Sequence, residues 1–204
     1  MRYIAAPVVI ILTTILFGCK KEETALEPKD KVLISGMEYP TVQIGNQIWT
    51  SVNYGGDGGI SYSQANSKPE YGRYYSFTEM QQVSLPQGWR IPTEADFKEL
   101  TRSVGVIFNN SKVENPELIK KLVSKANWKN VPGDNSSGFN AYPGGYSVNN
   151  SSPMDGDLAE FWMQDGKTFC IMESGNFTAH RIVFFANSNQ PLDRFNLRFV
   201  KDAN

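Results

Sequence analysis

Apolar and polar positions alternate with different periods along this chain, and each period predicts a different element. Residues Ile4 to Phe17 form an apolar run of fourteen residues without a charge, too short for a bilayer span, which needs about 20. From Tyr39 to Asn53, Val42 and Ile44 alternate with polar neighbours, Gly45-Asn46 interrupts, and Ile48 resumes. A period of two on both sides of a two-residue turn predicts a β-hairpin, and glycine in the first turn position favours type II′. Residues 54 to 68 are rich in Gly, Ser and Asn and read as a loop, after which Tyr71-Gly72-Arg73-Tyr74-Tyr75-Ser76-Phe77 has the aromatic content of a strand.

The period then changes to that of a helix. Phe97, Leu100 and Val104 share one face, Thr93 can cap the start with Asp96 three residues on, and Gly105 can close the end. A second, shorter helix is predicted from Asn115 as cap, Pro116 at the first helical position and the stripe Leu118, Ile119 and Leu122, with Lys120 and Lys121 facing solvent. Residues 127 to 153 are turn-rich. Strand patterns return at Phe161 to Met163, Thr168 to Met172, Arg181 to Ala186 and Phe195 to Val200. In the last of these Phe195, Leu197 and Phe199 alternate with Asn196 and Arg198, the pattern of a half-buried antiparallel strand. A hairpin first, strands last and two helices between them predict an α+β fold whose termini meet in one sheet.

The flanks of the first apolar run give it a purpose. Arg2 precedes it, and Leu16-Phe17-Gly18-Cys19 closes it, which resembles the lipobox of bacterial lipoproteins, in which the cysteine sulfur is acylated. An ordinary secretory signal or an uncleaved anchor is the alternative. The expected division is a lipoprotein signal peptide over residues 1–18, lipidated Cys19 with a charged tether over 19–31, and one domain over 32–204. Each buried acyl methylene contributes about 0.8 kcal/mol, so several chains hold stably to a membrane. Lysines, not aspartate, follow Cys19. By resemblance to Gram-negative lipoproteins this favours the outer membrane, while the acidic residues close behind resemble surface-export signals and leave the cell surface open.

Composition narrows the chemistry. With 20 basic and 21 acidic residues the net charge is −1, and no basic run outside the tether supports nucleic-acid binding. Only Cys170 remains once Cys19 is acylated, so no disulfide is expected within the domain, and Cys170 reads as a buried small apolar residue. His180 is the single histidine, which excludes a three-histidine metal site and fits a structural or exposed role. Asp155, Asp157 and Glu160 lie within six residues. Their spacing suits oxygen ligation of Ca²⁺, although it misses the twelve-residue EF-hand loop. No other convergent set of titratable groups is legible, so an enzyme is not expected, and no cofactor beyond that calcium. Aromatic residues make up 12% of the chain. Tyr54, Tyr62, Tyr142, Tyr146 and Trp162 sit among Asn, Gln and Gly and could offer stacking faces to a sugar or a protein. Tyr142, Tyr146 and Trp162 are the ligand-binding candidates, and the opposing reading places the tryptophans in the core.

Five segments together carry a family resemblance: Val42-Gln43-Ile44-Gly45-Asn46-Gln47-Ile48-Trp49, Tyr71-Gly72-Arg73-Tyr74-Tyr75, Leu85-Pro86-Gln87-Gly88-Trp89-Arg90-Ile91-Pro92-Thr93, Ser137-Gly138-Phe139-Asn140-Ala141-Tyr142-Pro143-Gly144-Gly145-Tyr146 and Leu197-Arg198-Phe199-Val200-Lys201-Asp202. In this order they resemble the Fibrobacter succinogenes major paralogous domain, a family of secreted and lipid-anchored bacterial proteins. Arg90 to Phe97 also resembles the helix start of formylglycine-generating-enzyme-like domains, which implies a C-type-lectin-like fold: an antiparallel sheet with two short helices and long loops. The resemblance implies cysteines where this chain has Leu85 and Phe199. If those cysteines pair, an apolar contact replaces the bridge here, and Leu85 should lie against Phe199. The expected function is that of a lipid-anchored cell-envelope protein with a non-catalytic domain for a glycan or surface protein. The alternative is a structural or accessory subunit of a surface assembly such as an adhesin or fimbrial complex.

Overall fold

A computed structural model describes residues 30–62, 68–149, 151, 155–186 and 190–203. The signal segment, Cys19 and the tether as far as residue 29 lie outside the described residues. Among the described residues no helix is long and apolar enough to cross a membrane.

The elements run β1 (Asp30–Ile34), β2 (Met37–Ile44), β3 (Gln47–Thr50), β4 (Ile60–Ser61), β5 (Arg73–Tyr74), α1 (Phe77–Gln81), α2 (Glu94–Ser103), β6 (Phe108–Asn109), β7 (Lys112–Val113), β8 (Ser147–Val148), β9 (Leu158–Trp162), β10 (Thr168–Glu173), β11 (His180–Phe185), β12 (Asp193–Arg194) and β13 (Val200–Asp202). The strands form a four-stranded sheet ordered β1-β2-β3-β13, a three-stranded sheet ordered β11-β10-β9, and three two-stranded ribbons. This overturns the expected α+β, C-type-lectin-like arrangement. The molecule is mostly β, in several small antiparallel sheets, and two short α-helices with two 3-10 turns do not make a helical layer.

The expected hairpin is β2-β3, with Gly45 at φ +59° and Thr41 opposite Thr50. A side chain at Gly45 would strike Ser103 Oγ at 2.2 Å, so the turn sits hard against the end of α2. One more hairpin precedes it. Ser35 and Gly36 both take positive φ (49° and 78°), as a type I′ turn requires, and pair β1 with β2 from Asp30 opposite Thr41 onward. Strand pairing therefore begins at Asp30, inside the span read as tether.

Helix α2 forms where its pattern predicts. Thr93 Oγ1 accepts the amide of Asp96 at 3.2 Å, and Asp96 Oδ2 accepts the amide of Thr93 at 2.9 Å, a reciprocal cap that satisfies two orphan donors. The second predicted helix is instead a 3-10 turn over Pro116–Leu122. Its carbonyls are taken by the loop that follows. Lys120 O accepts Asp134 N and Asn135 N, Leu122 O accepts Ala141 N, and Ser124 N donates to Ala141 O, so the i to i+4 ladder cannot close. Asn115 does not cap it either: its side chain accepts Ile107 N and donates to Gly105 O, each at 2.8 Å.

Two apolar clusters fill the interior. One gathers Trp49, Phe97, Leu100, Phe139, Phe161, Phe169 and Ile171, with the Phe97 and Phe169 rings stacked at 4.2 Å. The other gathers Tyr54, Tyr75, Met80, Trp162, Phe195 and Phe199, and Leu85 packs on it. The expected replacement of a bridge by apolar contact thus places both residues in one cluster.

Between the clusters runs the segment Phe195 to Val200, buried throughout and not only on one face. It pairs on every side: Phe195 with Tyr75, Asn196 with Glu160 and Trp162, Leu197 with Tyr54, Phe199 with Thr50, and Val200 with Arg90. Its polar residues must then be satisfied inside the protein. Arg198 is fully buried, and its Nε donates to Asn53 Oδ1 at 2.6 Å, Nη1 to Thr50 O at 2.8 Å and Phe139 O at 2.9 Å, and Nη2 to Asn140 O at 3.0 Å. Phe139 offers its ring face at 4.9 Å. Burial lowers this guanidinium's pKa to about 9, so it is charged at neutral pH.

Candidate functional site

The most elaborate partly exposed polar cluster lies where the loop before β5 meets the loop before β9. Its local geometry starts at Pro69, which opens a 3-10 turn over Pro69–Tyr71 and presets the required φ. Gly72 ends the turn at φ +67°, where a side chain would meet Tyr54 O at 2.7 Å and Asn53 Cβ at 2.8 Å, so only glycine fits. That close approach lets Arg73 N bond Tyr54 O at 3.0 Å. Tyr71 O is held by the amides of Asn53 and Asn196, both at 2.9 Å, which fixes the ring of the fully buried Tyr71 with its hydroxyl on Asp155.

Asp155 is the hub. Tyr62 Oη donates to its Oδ1 at 2.9 Å, Tyr71 Oη donates to Oδ2 at 3.4 Å, and Lys68 Nζ forms an ion pair with Oδ2. The Tyr62 and Tyr71 rings meet edge to face at 5.3 Å and 87°, and Lys68 Nζ lies 5.0 Å from one centroid and 4.9 Å from the other. Tyr142 continues the aromatic surface, its ring 6.2 Å from Tyr71, and Asn127 Nδ2 donates to Glu70 beside it at 2.8 Å. Burial alone would raise the Asp155 pKa, but hydrogen bonds from Lys68 and Tyr62 and the lysine charge hold it below the usual carboxylate range. Burial likewise opposes the charge on Lys68, and Asp155 outweighs it and pushes the pKa up. Tyr71 rises to about 12, chiefly through burial. At neutral pH the cluster is one ammonium, one carboxylate and neutral phenols.

The six residues predicted to bind a ligand or a metal do not gather at one site. Asp155 and Tyr142 belong to this cluster, joined through Tyr71. Tyr146 and Trp162 both pack on Phe195, at 5.7 Å and 4.8 Å. Trp162 presents no face to solvent: it is fully buried, and its Nε1 donates to Tyr75 O at 2.6 Å. Tyr54 is buried as well. Of the acidic trio, Asp157 is exposed before β9, whereas Glu160 on β9 is buried and accepts the hydroxyl of Thr168. Burial pushes the Glu160 pKa up to about 7. The three carboxylates do not converge, and among the described residues no group of three or more His, Cys, Asp or Glu is placed to hold a metal ion.

Sequence reasoning placed Tyr62 among candidate stacking faces but missed Lys68, and it read the segment of Tyr71 as a strand, of which Arg73–Tyr74 is one. The available signal was Lys68-Pro69-Glu70-Tyr71, in which a proline-started turn folds the lysine back over an aromatic residue three positions on. Cys170 and His180 are both buried in the β9-β10-β11 sheet, Cys170 as expected and His180 in the buried one of the two positions open to it.

The cluster can stack a flat apolar face, accept hydrogen bonds through a carboxylate and donate them through an ammonium, a set suited to recognition. Neither a curated protein nor a solved structure matches the chain. A family model, the Fibrobacter succinogenes major domain, matches residues 42–201, a span that holds the whole of this cluster and most of both cores, and the chain belongs to that family.

Proposed function

We propose that the chain is a lipid-anchored cell-envelope protein whose domain binds a glycan or a surface protein without catalysing a reaction. The observation that carries the reading is the Tyr62, Lys68, Tyr71, Tyr142 and Asp155 cluster, in which aromatic rings and charged hydrogen-bonding groups from three loops meet and all but the buried Tyr71 are partly exposed. The anchor rests on the lipobox-like Leu16-Phe17-Gly18-Cys19, and the outer membrane, facing the periplasm or the cell surface, is the proposed location.

The test is binding of the full chain to a broad glycan array and to envelope proteins, with and without Ca²⁺. Saturable binding weakened by Tyr142→Ala and Tyr71→Phe supports the reading, and silence toward both ligand classes overturns it. Cys19→Ser is expected to abolish the acyl mass and to move the chain out of the membrane fraction. An unchanged acyl mass on mass spectrometry would sink the anchor.

A second reading, an accessory subunit of a surface assembly such as an adhesin or fimbrial complex, has its own support. Strand β1 is at the margin of its sheet, and Leu33 and Met37 at its hairpin tip are 61% and 48% exposed. A row of unpaired strand groups beside apolar side chains is a template for another chain. Assembly that fails in Leu33→Lys and persists in Tyr142→Ala would favour it.

A further inference from the structure

Lys68 sits in its loop as a ligand sits in a receptor. Two aromatic walls stand at right angles, the Nζ lies about equally far from both, and the Asp155 carboxylate closes the third side. The negative faces of the rings attract a cation, and the carboxylate adds charge and direction. Because Asp155 accepts a hydrogen bond from Nζ, and Nζ also reaches the Tyr71 hydroxyl at 3.5 Å, the cage is matched to a primary ammonium, which can donate, over a quaternary one, which cannot.

We propose that Tyr62, Tyr71 and Asp155 form a recognition cage for a lysine side chain of a partner protein, with Lys68 as the resident occupant that the partner's lysine displaces. This deepens the ligand-binding reading above and rests on it. A lysine is favoured over an amino sugar by the depth of the carboxylate. The Asp155 side chain is only 19% exposed, and Lys68 brings its ammonium there at the end of a slender alkyl stem. A sugar amine is attached directly to its ring and would have to bring that ring to the same depth.

Exchange is feasible because one primary ammonium takes the place of another on the same two rings and the same carboxylate. The Lys68 side chain is already 29% exposed and leaves into water. What decides the exchange is binding outside the cage, where Tyr142 and Glu70 flank Tyr71. A tethered competitor acts at an effective concentration in the millimolar range or above, so it weakens every external ammonium until removed.

The test uses the full chain in detergent, with n-butylammonium and acetyl-Gly-Lys-Gly-amide as probes and tyrosine ring proton shifts as the readout. Lys68→Met is expected to bind both probes at least about tenfold more tightly than the wild type. Asp155→Asn added to it should abolish the gain, and tetramethylammonium should bind more weakly than n-butylammonium. Absence of ammonium binding by the folded Lys68→Met chain overturns the proposal, as does tighter binding of a glucosamine trimer than of the lysyl peptide. Should Lys68→Met not fold, Lys68→Gln replaces it, and saturating n-butylammonium on the wild type must move the Lys68 ε-methylene resonance; an unmoved resonance overturns the proposal. If the cage ignores ammonium while glycan or protein capture stays intact, the cage falls and the ligand-binding reading stands.

Discussion

Replacing Arg198 by leucine is expected to remove about 4 kcal/mol of stability and to lower the melting temperature by about 8 to 16 °C. The guanidinium is wholly buried, and no carboxylate among the described residues pairs with it. Its charge is spread over four acceptors on two segments: Thr50 O at the end of β3 and Asn53 Oδ1 just after it, Phe139 O and Asn140 O in the long loop. Leucine removes the desolvation cost of the charge, but it leaves four buried acceptors short of a donor and a void where the guanidinium stood. An unsatisfied buried acceptor costs about 1 to 3 kcal/mol, which outweighs the relief. Lysine should fall between, since one ammonium cannot reproduce a planar fork of donors. Urea unfolding of the three chains measures the effect, and Arg198→Leu within about 1 kcal/mol of the wild type would refute the guanidinium's organising role.

Arg198 also marks where sequence reading stopped. The alternation of Phe195, Leu197 and Phe199 with Asn196 and Arg198 is the signature of a strand with one wet face, yet both faces are buried. Period two reports which residues share a face and not whether the other face meets water. Only the partners brought from as far as 149 residues away in sequence decide that. Local chemistry was more legible. The Thr93 and Asp96 cap and the Gly45-Asn46 turn act within a few residues of chain and are found as read. Ser76-Phe77-Thr78-Glu79 carries the same capping signature and forms α1 with both reciprocal bonds, although the neighbouring aromatics pointed to a strand. The 3-10 turn at Pro116 failed as a helix for the opposite reason: a loop of later sequence captured its carbonyls. The candidate site was half legible. Tyr62 and Tyr142 were visible as surface-prone tyrosines, but Tyr71 was not, and the meeting of Lys68 with Asp155 across 87 residues is a tertiary event.

Stability should be nearly level between pH 4.5 and 6.5 in its contribution from two buried groups, and each should tilt the profile when the other is removed. His180 is 2% exposed, lies edge-on to Trp128 at 4.6 Å, and its Nε2 has no partner among the described residues. Burial lowers its pKa to about 4, with the Glu173 charge pulling weakly the other way. The unfolded chain therefore binds this proton more readily than the fold does. The contribution of His180 is whole above about pH 6.5 and is lost as pH falls toward 4. Glu160 behaves in reverse. Its pKa is raised to about 7 by burial, the Asp193 charge adding to this and the Thr168 hydroxyl opposing it, so the fold holds its proton more tightly than the unfolded chain does. Its contribution is whole below about pH 4.5 and is lost as pH rises through 7. Two shifts of similar size and opposite sense cancel where they overlap. His180→Phe keeps only the Glu160 dependence and should become less stable with rising pH. Glu160→Gln retains an acceptor for Thr168 and should become less stable with falling pH. Each tilt should amount to about 2 to 3 kcal/mol across the window. Asp96, Asp155 and Glu173, whose pKa values are lowered in the fold, add an acid-side loss common to all three chains. The comparison is therefore of difference curves from urea midpoints against pH. Parallel curves would mean that neither group changes its protonation between the folded and unfolded chain in this range.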